Sequence, residues 1–82
     1  MHDYLEMREA LESGNAPKVK ALAEQALAEG RSATEILNEG LIAAMSVVGV
    51  KFKNNEIYVP EVMVAARAMT AGLNVIRPVL VE

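Results

Sequence analysis

The chain has 82 residues, of which 52% are apolar, and eight basic against eleven acidic side chains leave a net charge of −3 with no cysteine. That length allows one domain, which buries only about 60% of the surface its unfolded chain exposes, and the apolar share is too high for a disordered tail. Disulfides and thiolate metal sites are excluded, His2, Asp3 and Glu6 replace the basic start of a signal peptide, Lys51, Lys53, Arg67 and Arg77 interrupt every apolar run of about 18 residues, and Lys18 with Lys20 is the only close basic pair, so a leader, a membrane span and nucleic-acid binding are set aside and the cytoplasm is the expected compartment.

The first predicted helix runs from Asp3 to Ser13, a stretch of strong helix formers that stops at Gly14, where a left-handed residue carries no steric cost. Asn15 then reads as an N-cap, with Pro17 in the first turn where its missing N–H is not needed. In the second helix Val19, Leu22, Ala26 and Leu27 recur at helical spacing, and Gly30 ends it. Ser32 followed by Glu35 is a capping box and opens the third helix. Here Leu37, Leu41, Met45, Val48 and Phe52 form one apolar stripe, and Ile36, Ala43, Val47 and Val50 form another, which predicts a central helix covered on two sides. Asn54 and Asn55 read as a tight turn, because asparagine tolerates left-handed angles. Pro60 restarts a helix that runs to about Val79 and frays at Pro78. Its predicted inward stripe is Val62, Ala66, Met69, Leu73, Ile76 and Leu80, widened by Val64, Ala68, Ala71, Val75 and Val79. Met63 is the one apolar residue on the polar side, either exposed or reserved for a partner. Four helices with short loops predict an all-α, antiparallel up-down four-helix bundle, with the longer two helices spanning about 30 Å.

Catalytic constellations are sparse. The one histidine, His2, lies beside the initiator methionine and reads as a terminal residue, not a ligand of a di-iron bundle. Ser13, Ser32 and Ser46 have no base, and the five glycines are dispersed without a phosphate-cradling loop. Glu56 and Glu61 bracket the turn and could be an acid–base pair, but such charges more often form a solvated rim. The expectation is a chain that is not itself a catalyst. Phe52, Val59 and Val62 gather at the tip of the last hairpin with no charge among them. They are either core or a surface that covers something apolar.

From Ile36 to Met69 the sequence resembles the helical cap domain of corrinoid (cobalamin-binding) methyl-carrier proteins. The matching residues are Asn38 to Leu41 (NEGL), Met45, Val48-Gly49, Phe52, Val59-Pro60-Glu61, Ala65-Ala66 and Ala68-Met69. The two leading helices are similar as well, so the resemblance covers nearly the whole chain. It implies a bundle that sits over the upper, methyl-bearing face of a corrin ring, with a following α/β domain holding the cobalt from below through Asp-x-His-x-x-Gly. It further implies that Phe52, Val59 and Val62, with Met63 beside them, are the cofactor-facing residues, that cobalamin is carried by the full-length protein, and that methyltransferase subunits are the partners. An apolar lid of this kind would exclude water and then move aside. Two departures stand out: the turn reads Lys53-Asn54-Asn55-Glu56 where the family carries glycine and an acidic residue, and no Asp-x-His-x-x-Gly occurs before Glu82. The expectation is that residues 1–82 form the cap of a longer protein, that the piece alone holds cobalamin weakly if at all, and that it self-associates through the uncovered tip. The alternative is a stand-alone helical dimerisation or adaptor module that uses the same tip.

Overall fold

Among residues 4–80, which the computed structural model describes, four helices follow one another: α1 (Leu5–Glu12), α2 (Ala16–Ala28), α3 (Ala33–Lys53) and α4 (Val59–Leu80). They form the predicted antiparallel bundle. His2, Asp3 and Glu82, on which the expectations about the terminus, the start of the first helix and the end of the chain rest, lie outside the described residues.

The three connections share one chemistry. At each helix end a left-handed residue (Gly14 at φ 76, Gly30 at φ 90, Asn55 at φ 63) lets the next amide reach back to a carbonyl five residues earlier. Asn15 N–H donates to the Ala10 carbonyl at 2.8 Å, Arg31 N–H to Ala26 at 3.0 Å, and Glu56 N–H to Lys51 at 2.8 Å. These bonds satisfy carbonyls that a helix end leaves free, and they reverse the chain within a few residues, so neighbouring helices run antiparallel. The starts are capped as the sequence predicts. Asn15 Oδ1 accepts from Lys18 N–H at 3.3 Å and Ser32 Oγ accepts from Glu35 N–H at 3.0 Å. The returning half of the Ser32 capping box is replaced: the Glu35 carboxylate accepts from the Tyr4 hydroxyl at 2.6 Å and from Arg31 at 3.4 Å.

Tyr4 explains why α1 starts at Leu5. Its backbone is left-handed at φ 57, a conformation outside the right-handed helix, and its side chain is buried. Burial, followed by the hydrogen bond to Glu35, raises the Tyr4 pKa well above the ordinary tyrosine range. A proton held more tightly in the folded chain than in the unfolded one contributes stability that is complete below about pH 10 and is lost as pH rises beyond it. Alkaline unfolding above pH 10 is therefore expected to become shallower in Tyr4→Phe, followed by far-ultraviolet circular dichroism at fixed temperature; an identical alkaline limb would refute the assignment.

The core is built from Met7, Leu11, Val19, Ile36, Leu41, Val48 and Ile76, with alanines along the lines where helices approach. On α4 the inward line is Ala65, Ala68, Gly72 and Ile76, while Ala66, Val64 and Val79 are exposed and Val62, Met69, Leu73, Val75 and Leu80 flank the core. The predicted stripes are thus rotated. Large apolar residues dominate a periodicity reading, whereas close helix packing places the smallest side chains at the contact line: a Cβ on Gly72 would stand 2.9 Å from Leu41 Cδ2 and 3.0 Å from Val19 Cγ1. Helix α4 also begins one residue before Pro60 and continues through Pro78 to Leu80.

Helix α3 departs most from expectation. Ile36–Ile42 is π-helical, a seven-residue widened turn inside an otherwise regular helix. Amides at its Ala43 end donate to the carbonyls of Asn38 and Gly40, skipping that of Glu39, and the Arg8 guanidinium donates to the skipped oxygen at 3.0 Å. Gly40 lets α1 seat against the segment, since a Cβ there would lie 2.6 Å from Met7 Sδ. The second predicted stripe of α3 is not covered along its length: Ile36 is buried, but Val47 and Val50 are exposed.

By length and composition alone, Ala33–Lys53 and Val59–Leu80 are both apolar enough to cross a membrane. This corrects the exclusion drawn from the interrupting charges, because Lys51 and Lys53 sit in the last turn and interrupt little. In the bundle one line of each of these helices joins the core with α1 and α2, while Ile42, Val47, Val50, Phe52, Val59, Met63, Val64 and Val79 remain exposed.

Candidate functional site

The α3–α4 hairpin ends in an apolar tip. Helix α3 closes at Asn54, and its last turn carries Phe52. Helix α4 opens with Val59 as its first residue, which puts Val62 and Met63 three and four positions later on adjoining faces of the first turn. Phe52 is 44% exposed, Val59 55% and Met63 57%, whereas Val62 is half-buried and packs against the core. The tip is thus a solvent-facing apolar surface rooted in the core by Val62 and, in the turn, by Ile57.

The backbone under it is rigidly fixed. The Tyr58 carbonyl accepts from Glu61 N–H at 3.0 Å and from Val62 N–H at 3.2 Å, while Glu61 Oε1 accepts from Tyr58 N–H at 3.0 Å. A carboxylate three residues into a helix that returns to the cap amide stabilises the start, and its charge suits the positive helix end. Glu61 is therefore engaged as a cap, and the rim reading of the Glu56 and Glu61 pair is the one that fits. On the α3 side, Lys51 Nζ lies 3.3 Å from Glu12 Oε1 and ties the last turn of α3 to α1.

Sequence reasoning placed Phe52, Val59, Val62 and Met63 near one turn, and the fold brings them to one end of the bundle. It overlooked Tyr58, the most exposed large apolar side chain at the tip, because a turn residue has no periodicity to read. It also overlooked the shallow groove of about 390 Å³ along α3 lined by Ser46, Val47, Val50, Lys51 and Glu56. Among the described residues no group of three or more His, Asp or Glu side chains is placed to hold a metal ion. The tip's chemistry is apolar contact and exclusion of water.

Comparison with known proteins gives a consistent picture. Residues 5–77 match the family described as B12 binding domain. The chain is 35% identical over 74 residues to Monomethylamine corrinoid protein 1 of Methanosarcina barkeri, covering 90% of this chain and 34% of that protein. It is 38% identical over 77 residues to the Dimethylamine corrinoid protein of the same organism, covering 94% of this chain and 36% of that one. Among solved structures, the Methanosarcina barkeri monomethylamine corrinoid protein superposes with a TM-score of 0.85 at 34% identity, over 89% of this chain and 34% of that one. The chain thus spans about a third of the length of these relatives.

Proposed function

Because the chain belongs to the B12-binding domain family, we propose that it is the helical cap of a cytoplasmic corrinoid protein that carries methyl groups in a methyltransferase system, and that Phe52, Val59, Val62 and Met63 cover the upper face of the cofactor. The single observation that carries this reading is the tip itself: an exposed apolar surface, rooted through Val62 in the core and free of nucleophile or metal ligand, in a chain of this family. Cobalamin bound by the longer protein supplies a cobalt centre able to hold a methyl group. This chain's residues shield that centre. Phe52, Val59 and Met63 present apolar atoms to the ring and exclude water, and Glu61 with the Asn55 turn keeps the first turn of α4 in place beneath them. Residues 1–82 then form one cap domain, with the cobalamin-binding α/β domain and the methyltransferase subunits as its partners. This role asks no catalysis of the chain, and the contact is dispersive, which suits a lid that must release.

The test uses the chain joined to its cobalamin-binding domain and loaded with cobalamin. Phe52→Ser with Met63→Gln changes two exposed residues and leaves the core untouched. Oxidation of the reduced cofactor by dissolved oxygen, followed by its visible absorbance, is expected to accelerate by roughly tenfold once water and oxygen reach the ring. Unchanged kinetics in that variant, and also in one that adds Val59→Ser, would overturn the cap reading.

A further inference from the structure

Helix α3 carries two heptad lines that differ by one residue. Ala33, Ile36, Gly40, Ala43, Val47 and Val50 form one; Leu37, Leu41, Ala44, Val48 and Lys51 form the other. The bundle uses the first line at the start of the helix, where Ala33, Ile36 and Gly40 are buried, and the second at its end, where Leu41, Ala44 and Val48 are buried. Ile36 and Leu41 are both fully buried although, five residues apart, they would stand about 140° apart on a regular α-helix. The π-helical turn at Ile36–Ile42 makes the change of line possible. The first line continues into solvent, with Val47 40% and Val50 57% exposed.

We infer that α3 has two registers, and that the π-helical segment selects the one in which Phe52 lies at the covering tip. In the other register the segment is regular α-helix, Ala43 and Val47 continue the buried line of Ala33 and Ile36, and the end of the helix turns by about 100°, one residue's worth, carrying Phe52 away from α4. The start of the helix stays fixed, because α1 holds it through Tyr4 on Glu35 and Met7 against Gly40, whereas the Arg8 bond to the Glu39 carbonyl belongs to the π-helical register alone. Two packings of one sequence, each with an apolar line to bury, are the form a bistable element takes, and widened π turns recur at functional sites. The exposed valines Val47 and Val50 are then part of the core line of the second register. That the turn uncovers a cofactor rests on the cap reading; the two registers themselves rest on the bundle alone.

Phe52 is the only phenylalanine, so fluorinated phenylalanine gives the 82-residue chain a single ¹⁹F reporter at the tip, with no cobalamin present. The expected result is millisecond exchange of that resonance with a minor state. Val47→Gln, which makes the spare line polar at an exposed site, should reduce the minor population at least tenfold. Deleting Asn38, which merges the two lines into one continuous heptad, should abolish the exchange while circular dichroism shows the helices intact. Absence of exchange in the natural sequence, or exchange that both variants leave unchanged, would overturn the proposal. Because no cofactor enters the measurement, its failure would leave the cap reading standing, and failure of the oxygen test would leave the two registers standing.

Discussion

Gly14→Ala is expected to destabilise the bundle by about 3 kcal/mol, the sum of two separable penalties. Gly14 closes α1 at φ 76, a conformation that costs an alanine roughly 1–2 kcal/mol. The added Cβ would also stand 2.7 Å from Val64 Cγ2 and 2.9 Å from Val64 Cβ. A methyl at the end of a long side chain could swing aside, but Val64 Cβ is fixed to α4, so the turn or the helix must move, at a further cost of about 1–3 kcal/mol. For a domain of this size the total corresponds to a fall in melting temperature of roughly 12–24 °C. Gly30→Ala is the control, because Gly30 has φ 90 with nothing within 4 Å of an added Cβ and should show the backbone penalty alone. Equal losses in the two variants, measured by thermal denaturation, would show that the α4 contact at Gly14 contributes nothing.

The second large effect lies at the centre of the core. Leu41→Ala removes a fully buried side chain at the end of the π-helical segment and should lower stability by about 3 kcal/mol through lost burial and the cavity left behind. Its neighbour makes the expectation sharper. Gly72 meets both Leu41 methyls, so Gly72→Ala alone forces Leu41 Cδ2 and Val19 Cγ1 to move, whereas in the Leu41→Ala background the added methyl enters the vacated space. The double variant is therefore expected to be more stable than the sum of the single losses by about 1 kcal/mol, a coupling that urea denaturation of the four proteins measures. Strict additivity would mean that the close approach of α3 and α4 at this point does not depend on glycine.

Local signals were read correctly where the physics is local. Gly14, Gly30 and Asn55 end their helices because each adopts a left-handed backbone, and Asn15 and Ser32 open theirs through side-chain oxygens that accept the expected amides. Those bonds span five residues or fewer, so the residues that decide them are adjacent in sequence. The grouping of Phe52, Val59, Val62 and Met63 was legible for the same reason, since one short turn joins them. Tyr4 was read as an ordinary helix residue, because the Glu35 carboxylate that receives its hydroxyl lies 31 positions away. The lines of α4 were rotated for a related reason: a hydrophobic count favours Val64 and Ala66, which the bundle leaves exposed, over the small residues Ala65, Ala68 and Gly72 at which the helices approach.

The sequence by itself determined four helices, their order, the three turns between them and an apolar tip with nothing reactive in it, all consequences of short-range hydrogen bonding and periodicity. Only the tertiary structure decided which apolar line of each helix is buried. Two lines compete on α3, and the choice between them depends on α1 seating Met7 against Gly40 and on Leu41 meeting Gly72, contacts between residues 31 to 33 positions apart. A helix can offer several faces to a core, and the one it buries is fixed by the shape of its neighbours.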